Sequence, residues 1–162
     1  MILISVCSMF IALFSLFISA FNFIRTWEKQ KFNISYQITN CYFVPNAGYY
    51  AHFQIINNSS EPISITGIVI NEILSSTDEQ LILSNSKGPK LTTQSIPLRI
   101  ESYGAKQFYC YFEKNKKVFF SKGLDLEIRT SRGVVSSHIK SSNKFLLPIT
   151  DLIEKHKNKS NI

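Results

Sequence analysis

Leu124-Asp125-Leu126-Glu127-Ile128-Arg129 alternates aliphatic and charged side chains without a break, and Val134 to Ile139 follows after Thr130-Ser131-Arg132-Gly133. A period of two puts the aliphatic side chains on one face of an extended strand and the charges on the other, so one face is buried and one is wet. The four residues between are turn formers ending in glycine, so the two runs read as a β-hairpin.

The same period recurs through the chain on either side. Phe32, Ile34, Tyr36 and Ile38 alternate with Asn33, Ser35 and Gln37. Tyr49 to Ile56 forms the next run, closed by the polar turn Asn57-Asn58-Ser59-Ser60-Glu61-Pro62. Ile63, Ile65, Ile68 and Ile70 follow, with Gly67 marking a bulge where the spacing slips. Gln80 to Leu83, Ile96 to Ile100 and Lys106 to Phe112 are shorter strand candidates. About eight strands at intervals of roughly 10–15 residues, with turn chemistry between them, predict an all-β domain with the antiparallel β-sandwich architecture called immunoglobulin-like. That term describes architecture only: the single Trp lies outside the strands, and Phe108, not Tyr, stands two residues before Cys110. Thr150 is placed to cap a short helix over Asp151 to His156, where the basic residues Lys155, Lys157 and Lys159 begin a tail.

The segment before the strands has a different solvent. Met1 to Ile24 contains no charged side chain. As a helix it would extend about 36 Å, enough for a hydrocarbon core of about 30 Å. Arg25 ends the run, with Trp27 where a headgroup-level aromatic belongs. A secretory signal has a basic start, a shorter apolar run and a small-x-small cleavage site; here residues 2–24 lack Lys and Arg, and Ile18-Ser19-Ala20 fits the site poorly. A retained transmembrane α-helix is therefore expected. Arg25, Lys29 and Lys31 form a membrane-proximal basic group on its C-terminal side, which by the positive-inside rule places the domain in the cytoplasm. Along the helix Ser5, Ser8, Ala12, Ser15, Ser19 and Asn22 fall on one arc, with Phe10, Phe14, Phe17 and Phe21 opposite. Two uses of that stripe stay open: packing against a second transmembrane helix, or hydroxyls bonding back to their own carbonyls.

The expected organisation is thus an anchor over 1–24, a basic juxtamembrane linker over 25–31, a sandwich over 32–148, and a short helix with a basic tail over 149–162. All 18 basic and 11 acidic residues follow residue 24, giving the soluble part the full formal charge of +7. With about 138 residues it is large enough for its own core. Cys41 and Cys110 are the only cysteines outside the anchor. In a cytoplasmic domain they stay reduced. In the alternative, an extracytoplasmic envelope or ligand-binding module, a Cys41–Cys110 disulfide would close a loop of about 70 residues, worth about 4 kcal/mol.

The layout, with Asn58-Ser59-Ser60-Glu61-Pro62-Ile63-Ser64-Ile65 at its centre, resembles a loose group of small, uncharacterised bacterial and phage proteins. These are single-pass membrane proteins with one immunoglobulin-like β-sandwich domain. The resemblance implies fold and anchoring and carries over no functional residues.

Chemical motifs are sparse. The six glycines are never closer than ten residues apart, which rules out the phosphate-cradling loops of dinucleotide and P-loop sites. His52, His138 and His156 have no Cys, His or carboxylate at metal-ligand spacing, although His52 and His138 both lie in strands and are candidates for neighbours across a sheet. Asp125 and Glu127 share a strand face about 6.8 Å apart, and the alternation around them accounts for both as solvated residues. Lys114, Lys116, Lys117 and Lys122 bracket Phe119 and Phe120. That segment reads either as a lipid-facing loop or as a solvated loop whose lysines keep the sandwich soluble. No nucleic-acid module accompanies the diffuse positive charge. The expectation is a non-enzymatic, membrane-anchored module, without catalytic, metal or cofactor residues. Its partners would be membrane lipid and a membrane or membrane-associated protein, or a second copy of the chain, and not nucleic acid.

Overall fold

The computed structural model describes residues 2–84, 90–113, 123–140 and 146–159, with 2–6, 28–30 and 157–159 as backbone. It is mainly β, preceded by one long apolar helix.

Helix α1 (Ile2–Gln30) contains no Gly or Pro, and its interior is rich in Leu, Ile and Phe. Cys7–Trp27 is long and apolar enough to cross a membrane, and none of it is buried against the protein. The helix continues six residues past Ile24, because Arg25 to Gln30 are all residues that tolerate a helix, leaving only 31–33 before the first strand.

Strands β1 (Ile34–Val44), β2 (Gly48–Asn57) and β8 (Ala105–Glu113) pair antiparallel in that order. β11 (Leu146–Pro148) joins the other edge of β1 in parallel, Cys41 opposite Leu146. The second sheet runs β10 (Gly133–Ile139), β9 (Leu124–Thr130), β3 (Ile63–Ile70). β7 (Leu98–Ile100) and β4 (Ile73–Leu74) share the outer edge of β3, one at each end. β5 (Leu81–Leu83) and β6 (Leu91–Thr92) form a small separate ribbon. Helix α2 (Ile149–Lys159) packs on β1 and β11.

One continuous core is filled from both sheets: Cys41, Ala51, Phe53, Ile55, Phe108, Cys110 and Phe112 from the first, and Ile63, Ile65, Ile68, Ile70, Leu126 and Ile128 from the second. Two bulges set which residues reach it. In β3 the register slips between Ile65 and Gly67, so Ile65 and Ile68 both point inward, as the Gly67 spacing predicted. In β1 it slips between Ile38 and Asn40, so that Ile38 and Cys41 are inside while Asn40 and Tyr42 turn to the outer face. The hairpin of Leu124 to Ile139 forms in the expected register, Arg129 opposite Val134. β4 arises because Asn71 and Glu72 both take positive φ (47° and 69°), the pairing that closes a tight two-residue turn.

The Cys41–Cys110 disulfide of the alternative, extracytoplasmic reading does not form. Both thiols are buried and free, and Ala51 of β2 lies between them, paired with Cys41 on one side and Cys110 on the other. Two strand spacings separate them by about 10 Å, beyond the roughly 7 Å a disulfide can bridge. Burial pushes both thiols up to about 12.

Candidate functional site

The outer face of the first sheet carries a grid that the register assembles from three strands. Asn40, His52 and Tyr109 form one row; Tyr42, Tyr50 and Tyr111 form the next; Gln37, Gln54 and Gln107 form a third. Side chains directly across an antiparallel pair stand about 5 Å apart, so the rings must meet. His52 stacks on Tyr109 with ring centroids 4.5 Å apart, and Tyr50 meets Tyr111 at 5.1 Å. Gln107 Nε2 donates to Gln54 Oε1 at 3.3 Å. The Tyr111 ring lies over Gly48, where any side chain would run into it, and its hydroxyl donates to the Ala47 carbonyl at 3.0 Å.

Helix α2 forms a wall along one side of this grid. Tyr42 and Leu152 are both buried there, outside the main core. Burial lowers the His52 pKa, and the nearby Lys155 ammonium lowers it further. Tyr50, His52, Tyr109 and Tyr111 remain half-exposed. The far edge of the sheet is closed, since Ser76 N donates to Tyr111 O at 2.8 Å and Gln94 N donates to Tyr109 O at 2.9 Å. What remains is a surface of aromatic rings and amides, bordered by Asp151 and Lys155 of α2 and by Glu113, and suited to contact by shape, stacking and hydrogen bonding.

The outer face of the second sheet contrasts with it. Arg99, Asp125, Glu127 and Arg129 are paired there: Arg99 with Glu101 at 2.8 Å, and Arg129 with Glu127 at 2.5 Å. His138 Nδ1 and Asp125 Oδ1 are 2.7 Å apart on the rim of an open groove of about 380 Å³. Both side chains of that pair are more than half exposed, and Ser136 lines the same groove. Asp125 and Glu127 share a face of β9 as expected, Glu127 engaged by Arg129 and Asp125 by the His138 ring.

His52 and His138 are not neighbours: β2 and β10 belong to different sheets. Arg25 and Lys31 are exposed, with Lys29 on the last turn of α1 between them. Ser8, Ala12, Ser15, Ser19 and Asn22 stand exposed along α1; the Ser5 side chain lies outside the described residues. Lys114, Lys116, Lys117, Phe119, Phe120 and Lys122 also lie outside them, but the chain leaves at Glu113, opposite Gly48, and returns at Gly123, beside Asn71. Both points are at the end of the strands away from α1.

Sequence reasoning missed the aromatic grid. Tyr50 and His52 were visible as alternate residues of a strand, but the inversion of Tyr42 by the β1 bulge and the match to Tyr109 and Tyr111 depend on register. In comparisons with known proteins, no family model and no curated protein matches this sequence.

Proposed function

We propose that this chain is a single-pass, membrane-anchored module whose immunoglobulin-like β-sandwich binds a protein, without catalysis, through the aromatic outer face of β1, β2 and β8. The observation that carries the proposal is the contrast between the two outer faces: ion pairs cover one, while Tyr50, His52, Tyr109 and Tyr111 make the centre of the other aromatic and half-buried, with charge only at its borders. Tyrosine supplies large contact area at low entropic cost, and the fully contacted centres of protein interfaces are rich in it and poor in charge. The occupant is a membrane or membrane-associated protein, or a second copy of the chain. Arg25, Lys29 and Lys31 beside the apolar helix support a cytoplasmic domain.

A photocrosslinking residue placed at Gln107, beside the grid, tests this in cells. It is expected to give a discrete adduct that Tyr50→Ala with Tyr109→Ala abolishes, while the same residue at Glu127 gives none. Equal adducts from both positions, or an adduct indifferent to the double substitution, would count against the assignment.

A further inference from the structure

Three turns and the α1 connection converge on Asn33. Its amide donates to Ser59 Oγ at 3.0 Å, and its carbonyl accepts from Asn58 N at 2.9 Å and Ser59 Oγ at 3.2 Å. Ser59 O in turn accepts from Tyr103 N at 3.2 Å, tying in the 101–104 turn. The 130–133 turn arrives through Gly133, whose Cα lies under the Phe32 ring, and through Ser131 N, which donates to Ser64 O at 2.8 Å. Glu61, Pro62, Glu101, Ser102, Tyr103 and Ser131 are therefore the exposed tips of the domain at the end where α1 enters.

We propose that this end docks onto the bilayer surface, with the Tyr103 ring seated among the lipid headgroups; the inference rests on α1 being a membrane anchor, as proposed above. The tether supplies the first argument. Between Gln30 and Ile34 only 31–33 intervene, so the chain holds the start of β1, at the same end of the strands as these tips, within about 14 Å of the end of α1. The second is the ring itself. Tyr103 is 63% exposed and held at a φ of 53°, a backbone region that non-glycine residues occupy infrequently, and the turn closes beneath it through Gly104 N donating to Glu101 O at 3.0 Å. An amphipathic aromatic with an apolar ring and a polar hydroxyl is the side chain that settles at headgroup depth. The third is charge. Arg99 pairs with Glu101 and Arg132 with Glu61, which leaves Lys31 and Lys106 as the surplus on this end, facing an anionic leaflet.

An upright domain follows. Strand β1, about 33 Å from end to end, lifts Glu113 and Gly123 away from lipid and leaves the aromatic face of β1, β2 and β8 clear for a partner.

The test uses the full chain in vesicles of phosphatidylcholine and phosphatidylglycerol, with and without bromine on the acyl chains near the interface. Wild type reports through Trp27. Two further chains carry Trp27→Phe, one with Tyr103→Trp and one with Ala47→Trp, an exposed site at the far end; Ser102→Trp duplicates the first should Tyr103→Trp misfold. Bromination is expected to quench wild type and to reduce emission of the Tyr103→Trp or Ser102→Trp chain about twofold, with little change for Ala47→Trp. Quenching at Ala47→Trp equal to that near Tyr103 overturns the upright docking. Quenching of wild type with none at either turn position overturns docking while the anchor stands. No quenching of wild-type Trp27 removes the anchor and the proposal with it.

Discussion

Asn57 is wholly buried at the corner between β2 and β3, and every polar group of its side chain is used. Nδ2 donates to Glu61 O at 2.7 Å and to Glu101 O at 3.0 Å, while Oδ1 accepts from Ser59 N at 3.0 Å. Asn57→Ala would remove the side-chain partner of Ser59 N and Glu61 O and leave Glu101 O with Gly104 N alone, and we expect a loss of about 2–3 kcal/mol in urea unfolding. Asn57→Asp should cost at least as much, since a carboxylate would face two carbonyls. At Cys41 and Cys110 the consequence is chemical. Burial raises both thiols from about 9 to about 12, so at pH 8 a disulfide reagent should modify neither until the chain is unfolded. A raised folded-state value means that the stabilisation is fully present below about pH 9 and is lost as pH climbs toward 12, so the contribution of these two thiols to the urea midpoint should be constant below 9 and fall above it. Oxidising conditions should leave the two unlinked in either compartment, and a bridge found by peptide mapping would contradict the strand order.

The elements that were legible in the sequence are those with a strong period and an uninterrupted register. The 124–139 hairpin and β2 have both, β3 has the period with its one slip marked by Gly67, and α1 announces itself by twenty-four residues without charge. β4, β6 and β11 were not legible, because two or three residues carry no period and their pairing partners are chosen by tertiary position. Asn71 shows the limit well: as a residue it reads only as a turn former, yet its amide nitrogen donates to Asp125 O and its Oδ1 accepts from Asp125 N, fixing where β9 begins. The aromatic face was hidden for a related reason, since the β1 bulge reverses the expected facing of Tyr42. Helix α2 offers a test at this scale. His52 prefers to be neutral in the fold, chiefly through burial and then through Lys155. A lowered folded-state value contributes stability above the ordinary histidine value near 6.5 that is lost as pH falls below it. The urea midpoint should therefore drop between pH 7 and 5, and Lys155→Gln should raise the His52 value part of the way, read from its ring proton shifts. Leu152→Ala, opening the space between α2 and β1, should cost about 2–3 kcal/mol.

For the whole molecule, α1 contributes placement and the sheets contribute structure. None of the span Cys7–Trp27 is buried against the domain, so removing residues 1–30 should leave far-UV β signal and cooperative unfolding intact while abolishing recovery in the membrane fraction. The layers are also laced along their open side: Phe32 touches Gly133, and Tyr36 donates its hydroxyl to Ser137, a parallel alignment with a constant offset between β1 and β10. β1 meanwhile takes β11 as its outer neighbour. The strand nearest α1 is thus completed by β10 and β11, contacts of long sequence separation that form late and slowly. The domain can close only after β10 and β11 have been made, so a membrane-inserted α1 would already be at its bilayer address while the sheets were still unfolded at the surface.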